Sequence, residues 1–458
     1  MNKNTFVIGF MLFAIFFGAG NLIFPSALGM ESGPQYWMAL GGFVITGVGL
    51  PLLGIVLSAY YEDGYRTALD RIHPWFSVLF LAVIYLTIGP FFAIPRTGAT
   101  SYEMAVVPFL GEAGGTSMLV FSLIYYSVTL WLSLNPSKMV ERIGAILTPV
   151  MLVAIVALIG KAVLWLHGRP STLHSVESGP GASFLNGFIG GYLTMDALAS
   201  VAFSVIVITA IRTRMGRVKA TGGEGDGDES LVMAAAHGSL PRRQLITQTA
   251  LAGLIAAASL AIIYAGLGWV SNHLPVSPEE IAQLKAKGQD VGAFLLSTAA
   301  YGTFGDFGRV LFGIIVTLAC LTTSVGLVTA VSEFFNDICP RISYGAYAVL
   351  CTLVSFGLAN QGLSAVIGKS VPVLLVLYPI VMTLLLLLVI DNFVRPLPQL
   401  SQRLAIVLVT GVSMLSVAGL DFTHRLPLKD YSLEWLPFAA VGIVIGLLGR
   451  RGRDTVAA

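Results

Sequence analysis

The length, composition and charge of the chain exclude several classes of protein. It has 458 residues, of which 56% are hydrophobic and only 11% are charged, and its mean hydropathy is +0.83. A soluble domain carries about 25% charged residues, so the composition indicates a polytopic membrane protein. The net charge of +2 gives no reason to expect a nucleic-acid partner, and the three cysteines lack the spacing of a disulfide framework or a metal site.

The apolar segments predict about twelve membrane-spanning helices, because each span needs about 20 mostly apolar residues. The first is interpreted as a retained helix and not a cleaved signal peptide, because it continues to Ile23 and many spans follow. Residues 275–296 predict a short helix in an external loop. The predicted spans are 6–28, 36–59, 76–95, 118–133, 143–166, 184–211, 245–270, 310–334, 344–358, 371–390, 404–420 and 433–448.

The first apolar span is interrupted by residues that weaken a helix. Glycine destabilises a helix and proline removes a backbone donor. Since lipid cannot hydrogen-bond the freed backbone groups, they must face protein or a water-filled cavity. The break therefore predicts a site for a polar ligand or ion, as in secondary transporters, and the alternative is a kink for close helix packing. The interruption reads Gly18-Ala19-Gly20-Asn21-Leu22-Ile23-Phe24-Pro25.

The sixth span contains a second glycine-rich interruption, five spans after the first. An odd number of spans turns the second copy upside down, and such paired breaks indicate an inverted repeat with a central site. We therefore predict one transmembrane domain, 1–458, with repeats at 6–166 and 184–390 and two additional helices within 404–448. The second interruption contains Gly187, Gly190, Gly191, Tyr192, Leu193, Thr194, Met195 and Asp196.

Oxygen atoms near the first break are candidate cation ligands. Asn21 offers a side-chain carbonyl oxygen, and the backbone carbonyls of Ala14 and Phe17 lie where the helical hydrogen bonds begin to open. The two half-helix ends at a break carry opposite partial charges, so one attracts a cation and the other a carboxylate.

Three residues of span eight could complete such a site. Ala319, Thr322 and Thr323 share one helical face, which aims two hydroxyls and a carbonyl in one direction. The alternative is that the threonines bond back to their own helix or pack against a neighbour.

Asp196 is the carboxylate that lies deepest within an apolar run. Charges at that depth are costly and are functional candidates by default. Asp196 could bind a substrate ammonium group, couple a proton or pair with Arg96, which we place near the outer end of span three.

The charges of the loops predict how the protein is oriented in the membrane. Most of the 26 Lys and Arg residues fall in loops on one side, which predicts that both termini are cytoplasmic. The glycine- and charge-rich segment 212–243 predicts a flexible cytoplasmic loop.

Protease, serine-hydrolase and Walker A motifs are missing from the sequence, so we predict no enzyme activity. A channel would need a continuous polar pore, whereas the polar residues cluster at the two breaks.

Three motifs carry a resemblance that covers nearly the whole chain. Residues 16–25 read FFGAGNLIFP, residues 89–97 read GPFFAIPRT, and residues 191–199 read GYLTMDALA. With them the chain resembles the bacterial branched-chain amino acid:cation symporter family (LIVCS, the branched-chain carrier system II). The resemblance implies import of leucine, isoleucine and valine, usually driven by sodium. It also implies an all-α fold of the amino acid–polyamine–organocation superfamily, with a LeuT-type core of two inverted five-helix repeats and broken helices 1 and 6.

The resemblance also implies site residues and a location. Sodium is the coupling ion and no other cofactor is expected, and the protein is placed in the bacterial inner membrane without an obligatory protein partner. Proton coupling and a broader range of neutral amino acids stay open as alternatives. The implied substrate-binding residues are Ala19, Gly20, Asn21, Leu22, Gly191, Tyr192, Leu193, Thr194 and Asp196, and the implied cation ligands are Ala14, Phe17, Asn21, Ala319, Thr322 and Thr323.

Overall fold

The computed structural model is helical in all its regular structure, within the residues that it describes. These are residues 3–61, 64–110, 115–134, 138–171, 179–204, 207–209, 211–212 and 242–454. Nearly all of the predicted cytoplasmic loop 212–243 lies outside these ranges, so its structure is not described.

The helices are numbered in chain order. Those of the first half are α1 (Lys3–Phe16), α2 (Ala19–Ser32), α3 (Tyr36–Val44), α4 (Leu50–Ser58), α5 (Tyr65–Asp70), α6 (Pro74–Leu86), α7 (Ala93–Ala105), α8 (Val107–Leu110), α9 (Gly115–Leu134) and α10 (Lys138–Leu166). Those that follow are α11 (Pro180–Gly190), α12 (Asp196–Ala202), α13 (Arg242–His273), α14 (Pro278–Ala286), α15 (Val291–Ile338), α16 (Tyr344–Ala359), α17 (Leu363–Val389), α18 (Gln399–Val417) and α19 (Trp435–Asp454).

The described helices account for the predicted spans. Eight helical segments are long and apolar enough to cross a membrane, and three shorter apolar helices accompany them. Four spans consist of two pieces each, namely α1 with α2, α3 with α4, α6 with α7, and α11 with α12. The repeat boundaries at 6–166 and 184–390 stay a prediction, and the tenth span begins at Leu363, earlier than residue 371.

The first span is broken where the sequence predicts it, but over fewer residues. Helix α1 ends at Phe16 and α2 begins at Ala19, so only two residues lie between them. The prediction that the interruption extends to Pro25 is wrong, since Pro25 lies inside α2. Proline removes one helical hydrogen bond and crowds the carbonyl four residues back, but here the helix continues through it and Pro25 is buried within the protein.

The third span has a break that the sequence analysis did not identify. A π-helical turn, Thr87–Phe91, joins α6 to α7, and Gly89 inside it has non-helical dihedral angles. The span does not end near residue 95 but continues to Ala105. Hydropathy placed the end too early because α7 is polar, whereas residues 93–104 are all buried and other helices shield them from lipid.

The loop that the sequence predicts to be external contains two helical pieces. Helix α14 is the predicted loop helix, and Ser277 caps it by accepting the backbone N–H of Glu280 at 3.1 Å. The second piece is the first part of α15, which bends at Gly305 (φ +64°). We call residues 291–304 the outer arm. The predicted loop helix 275–296 is therefore longer and divided.

Glycine contacts hold the two halves together reciprocally. Helix α2 packs on α13 at Gly29, where a Cβ would overlap the backbone of Gly268. Helix α11 packs on α3 in the same way, since a Cβ at Gly187 would overlap the carbonyl of Ala39. The broken helix of each half thus leans on the second span of the other half, as an inverted repeat requires.

Candidate functional site

The two breaks meet in the interior of the protein. Nδ2 of Asn21, at the start of α2, lies 2.5 Å from Oδ2 of Asp196, the first residue of α12. The two side chains are 1% and 4% exposed. This contact places the N-terminal end of one half-helix beside the N-terminal end of another, and both ends carry positive partial charge.

The amide of Asn21 also organises the first break. Gly18 is extended (φ −120°, ψ −168°) and donates its N–H to Oδ1 of Asn21 at 3.0 Å. The first backbone amides of α2, those of Ala19 and Gly20, have no carbonyl one turn earlier within the helix. The same side chain therefore fixes the break with its oxygen and reaches the second break with its nitrogen.

The second break is a short, tightly wound turn. Residues Gly191–Thr194 form a 3₁₀ turn, and Met195 is left-handed with φ +65°. Oγ1 of Thr194 donates to the carbonyl of Gly191 at 2.9 Å, and the N–H of Met195 donates to the carbonyl of Tyr192 at 3.1 Å. Two of the carbonyls in the turn therefore already accept hydrogen bonds from within it.

Arg96 of α7 satisfies the other two carbonyls of the turn. Its Nη1 donates to the carbonyl of Leu193 at 2.6 Å and its Nη2 to that of Thr194 at 3.2 Å. The prediction that Arg96 lies near the outer end of span three is wrong, because the span continues past Arg96 and the residue is only 5% exposed. Direct pairing with Asp196 is also absent, since none of the described carboxylates lies within 4.0 Å of the guanidinium.

Tyr264 of α13 is a third polar contact at the junction, which the sequence analysis missed. Its hydroxyl hydrogen-bonds with Nδ2 of Asn21 and lies 3.4 Å from Oδ2 of Asp196. Its ring packs edge-on against Phe43, with the centroids 5.3 Å apart. A buried tyrosine hydroxyl needs a partner, so a tyrosine within an apolar span is the sequence signal that could have indicated Tyr264.

Sequence comparison identifies the family. Residues 1–452 match the family model described as branched-chain amino acid transport protein. The chain belongs to this family. A relative from Staphylococcus aureus (strain USA300), named as a branched-chain amino acid carrier protein, is 46% identical over 98% of this chain and 97% of its own length. One of the same name from Staphylococcus saprophyticus is 48% identical over 98% of this chain and 96% of its own. The chain is therefore a transporter and not an enzyme.

Solved structures show the fold of the carrier. Mhp1, a nucleobase-cation-symport-1 family transporter in a closed conformation, superimposes with a TM-score of 0.57 at 11% identity, covering 99% of this chain and 93% of that one. MhsT in complex with L-phenylalanine gives 0.54 at 17% identity, covering 96% and 98%. The predicted LeuT-type fold with broken helices 1 and 6 is thereby confirmed.

A small cavity of about 50 Å³ lies at the junction of the breaks. Of the predicted site residues, five line it: Ala19, Asn21, Thr194, Asp196 and Thr323. Arg96 lines it too, and the rest of the wall is largely apolar, with Ile15, Phe16, Ile88, Phe203 and Leu327. One water needs roughly 10–15 Å³ of such space, so the cavity has room for only a few waters, and an amino acid requires the helices to move apart.

The other predicted substrate residues lie behind the cavity wall. Gly20 faces Arg96, and Leu22, Gly191 and Tyr192 are buried outside the lining. Leu193 is half-buried, and Arg96 contacts its carbonyl. The ring of Tyr192 stacks on Tyr378, with the centroids 4.3 Å apart, and its hydroxyl contacts the sulfur of Met382 at 3.3 Å. Tyr192 therefore braces the turn against α17.

The predicted cation ligands are only partly brought together. Thr322 and Thr323 both donate to the carbonyl of Ala319, at 2.8 and 3.1 Å. Thr323 adjoins the first break, because a Cβ built at Gly18 would lie 3.6 Å from its Cγ2. Thr322, Ala319, Ala14 and Phe17 do not line the cavity. The hydroxyl oxygens keep free lone pairs while they donate, so the arrangement is compatible with a cation site beside Thr323.

Proposed function

We propose that this carrier imports leucine, isoleucine and valine by sodium symport across the bacterial cytoplasmic membrane, with both termini in the cytoplasm. The observation that carries the proposal is the contact between Asn21 and Asp196, which joins two half-helix ends beside a cavity in a member of this family. The names of the staphylococcal relatives support the substrate class.

Sodium would bind between the C-terminal end of α1 and the middle of α15. The last carbonyls of α1 carry negative partial charge, and unwound carbonyls of this kind coordinate sodium in transporters. Thr323 would add a hydroxyl oxygen from α15, with Thr322 and Ala319 beside it. Binding would thus pull α15 and the first break together and link the ion to the substrate cavity.

Proton coupling is the second candidate, and one observation favours it. Asp196 is a carboxylate 4% exposed at the junction of the breaks, where a change in its protonation alters the charge of the cavity. Proton relays in transporters use such buried carboxylates.

Uptake of radiolabelled leucine into proteoliposomes separates the candidates. An inward sodium gradient should drive accumulation, and replacement of sodium by choline should abolish it. Accumulation that follows an imposed pH gradient without sodium would favour proton coupling. Competition by unlabelled neutral amino acids tests the substrate range, and single-channel currents without substrate would favour a channel.

A further inference from the structure

Arg96 is a buried cation whose hydrogen-bonding capacity is incompletely used. Its guanidinium contacts two carbonyls through Nη1 and Nη2, but its Nε has no hydrogen-bond partner. None of the described carboxylates lies within 4.0 Å of it. A buried charge that no counterion contacts directly is costly, and an unpaired donor on that charge adds to the cost. An anion at this place would remove both costs.

The neighbours of Arg96 keep it at the cavity. A Cβ at Gly20 would lie 2.8 Å from Nη2 and 3.0 Å from Cζ, so the guanidinium packs directly against the first turn of α2. Cζ also lies 5.1 Å from the centre of the Phe24 ring, one turn further along the same helix. The amides at the start of α2 and the guanidinium therefore present positive charge to the same space.

Asp196 supplies the opposite charge on the same cavity. Its Oδ2 accepts the amide of Asn21, and no arginine or lysine among the described residues pairs with it. The cavity thus contains one guanidinium and one carboxylate that do not touch each other. A ligand with one negative and one positive group would complete both.

We propose that Arg96 binds the carboxylate of the transported amino acid and that Asp196 binds its ammonium group. This inference rests on the proposed function. The carbonyls of Leu193 and Thr194 already accept hydrogen bonds from Arg96, so Asp196 and not these carbonyls receives the ammonium group. The aliphatic side chain then extends towards Ile88, Phe203 and Leu327. Bidentate geometry makes arginine well suited to a carboxylate.

The competing explanation is that Arg96 only holds the second break in shape. A structural arginine would matter equally for every ligand of the cavity. A carboxylate receptor matters only for ligands that carry a carboxylate. The two explanations therefore separate when the ligand and the protein are changed together.

The test compares L-leucine with L-leucinamide, in which a neutral amide replaces the carboxylate. Both compete with labelled leucine for purified wild-type protein, Arg96→Gln and Arg96→Lys. The matched control is Arg403→Gln, whose arginine also donates to a backbone carbonyl, that of Ile72 at 2.6 Å, but outside the cavity. In wild type and the control, leucinamide should bind at least about 10-fold more weakly than leucine. In Arg96→Gln, leucine should weaken roughly 10- to 100-fold while leucinamide changes little.

Each result decides the inference. Equal weakening of both ligands in Arg96→Gln overturns it and leaves the transport function intact. A wild-type protein that binds no branched-chain amino acid rejects the proposed function itself. If the Arg96 variants fail to fold, Gly20→Ala serves instead, because its Cβ displaces the guanidinium without removing the charge. An unchanged preference for leucine over leucinamide in Gly20→Ala contradicts the inference.

Discussion

The amide nitrogen of Asn21 lies 2.5 Å from Oδ2 of Asp196, although the two residues are 175 positions apart in the chain. This single hydrogen bond joins the two helix breaks. It also connects the capped end of α2 to the first residue of α12.

Asn21 and Asp196 should be energetically coupled. Asn21→Ala and Asp196→Ala should each reduce leucine uptake strongly, and the double variant should lose less than the sum of the two. Residues that share a buried hydrogen bond typically couple by about 0.5–3 kcal/mol. Thermal unfolding in detergent and uptake at matched protein levels measure the cycle, and strict additivity would contradict the contact.

Thr323→Ala should raise the sodium concentration needed for half-maximal uptake. The hydroxyl is the α15 oxygen that lies beside the first break, and its loss removes a ligand of the proposed site. Thr317→Ala is the control, because Thr317 donates to the carbonyl of Gly313 at 2.8 Å on the same helix but away from the cavity. An identical sodium dependence in the two variants would remove Thr323 from the site.

Gly29→Ala should destabilise the protein, because its Cβ would overlap the backbone of Gly268 and push α2 away from α13. Overpacking of this kind costs about 1–3 kcal/mol. Gly368→Ala on α17 is the control, since nothing lies within 4 Å of its Cβ. The melting temperature in detergent should fall only for Gly29→Ala, and a fall of equal size in both would show that helix packing is not the cause.

Gly305→Ala should weaken the bend between the outer arm and the rest of α15. With φ +64° and ψ −155°, Gly305 lies in a backbone region that essentially only glycine adopts, so alanine there costs about 1–3 kcal/mol. Gly326→Ala, on the same helix with open space around it, should be neutral or mildly stabilising. Limited proteolysis of the loop before α15 should accelerate only in Gly305→Ala, and unchanged cleavage would indicate that the bend tolerates a side chain.

The sequence predicted features that depend on local chemistry. Apolar length identified the spans, and the glycines at residues 18–20 and 190–191 identified the breaks, because both signals are contained in short windows. Asp196 was identified for the same reason, as a charge in an apolar run. The fold class required the family resemblance in addition, since two breaks alone are compatible with packing kinks.

The features that the sequence did not predict depend on contacts between distant segments. Arg96 was placed at a span end because the polar residues after it lower hydropathy, yet α7 is enclosed by other helices. Tyr264 is an ordinary aromatic residue in its own span and becomes informative only beside Asn21. The sequence also could not show that the carbonyls of residues 191–194 already accept hydrogen bonds, because two of them bond to Arg96, a side chain from α7.

The reciprocal glycine contacts have a consequence for how access to the cavity can alternate. At Gly29 and Gly187 the main chains of neighbouring helices touch without intervening side chains, which leaves no room for them to slide independently. The spans that contain α2, α3, α11 and α13 should therefore tilt as one rigid unit. Helices α7 and α15 pack against this unit, so we expect the gates to form at that contact, where Arg96 and Thr323 lie.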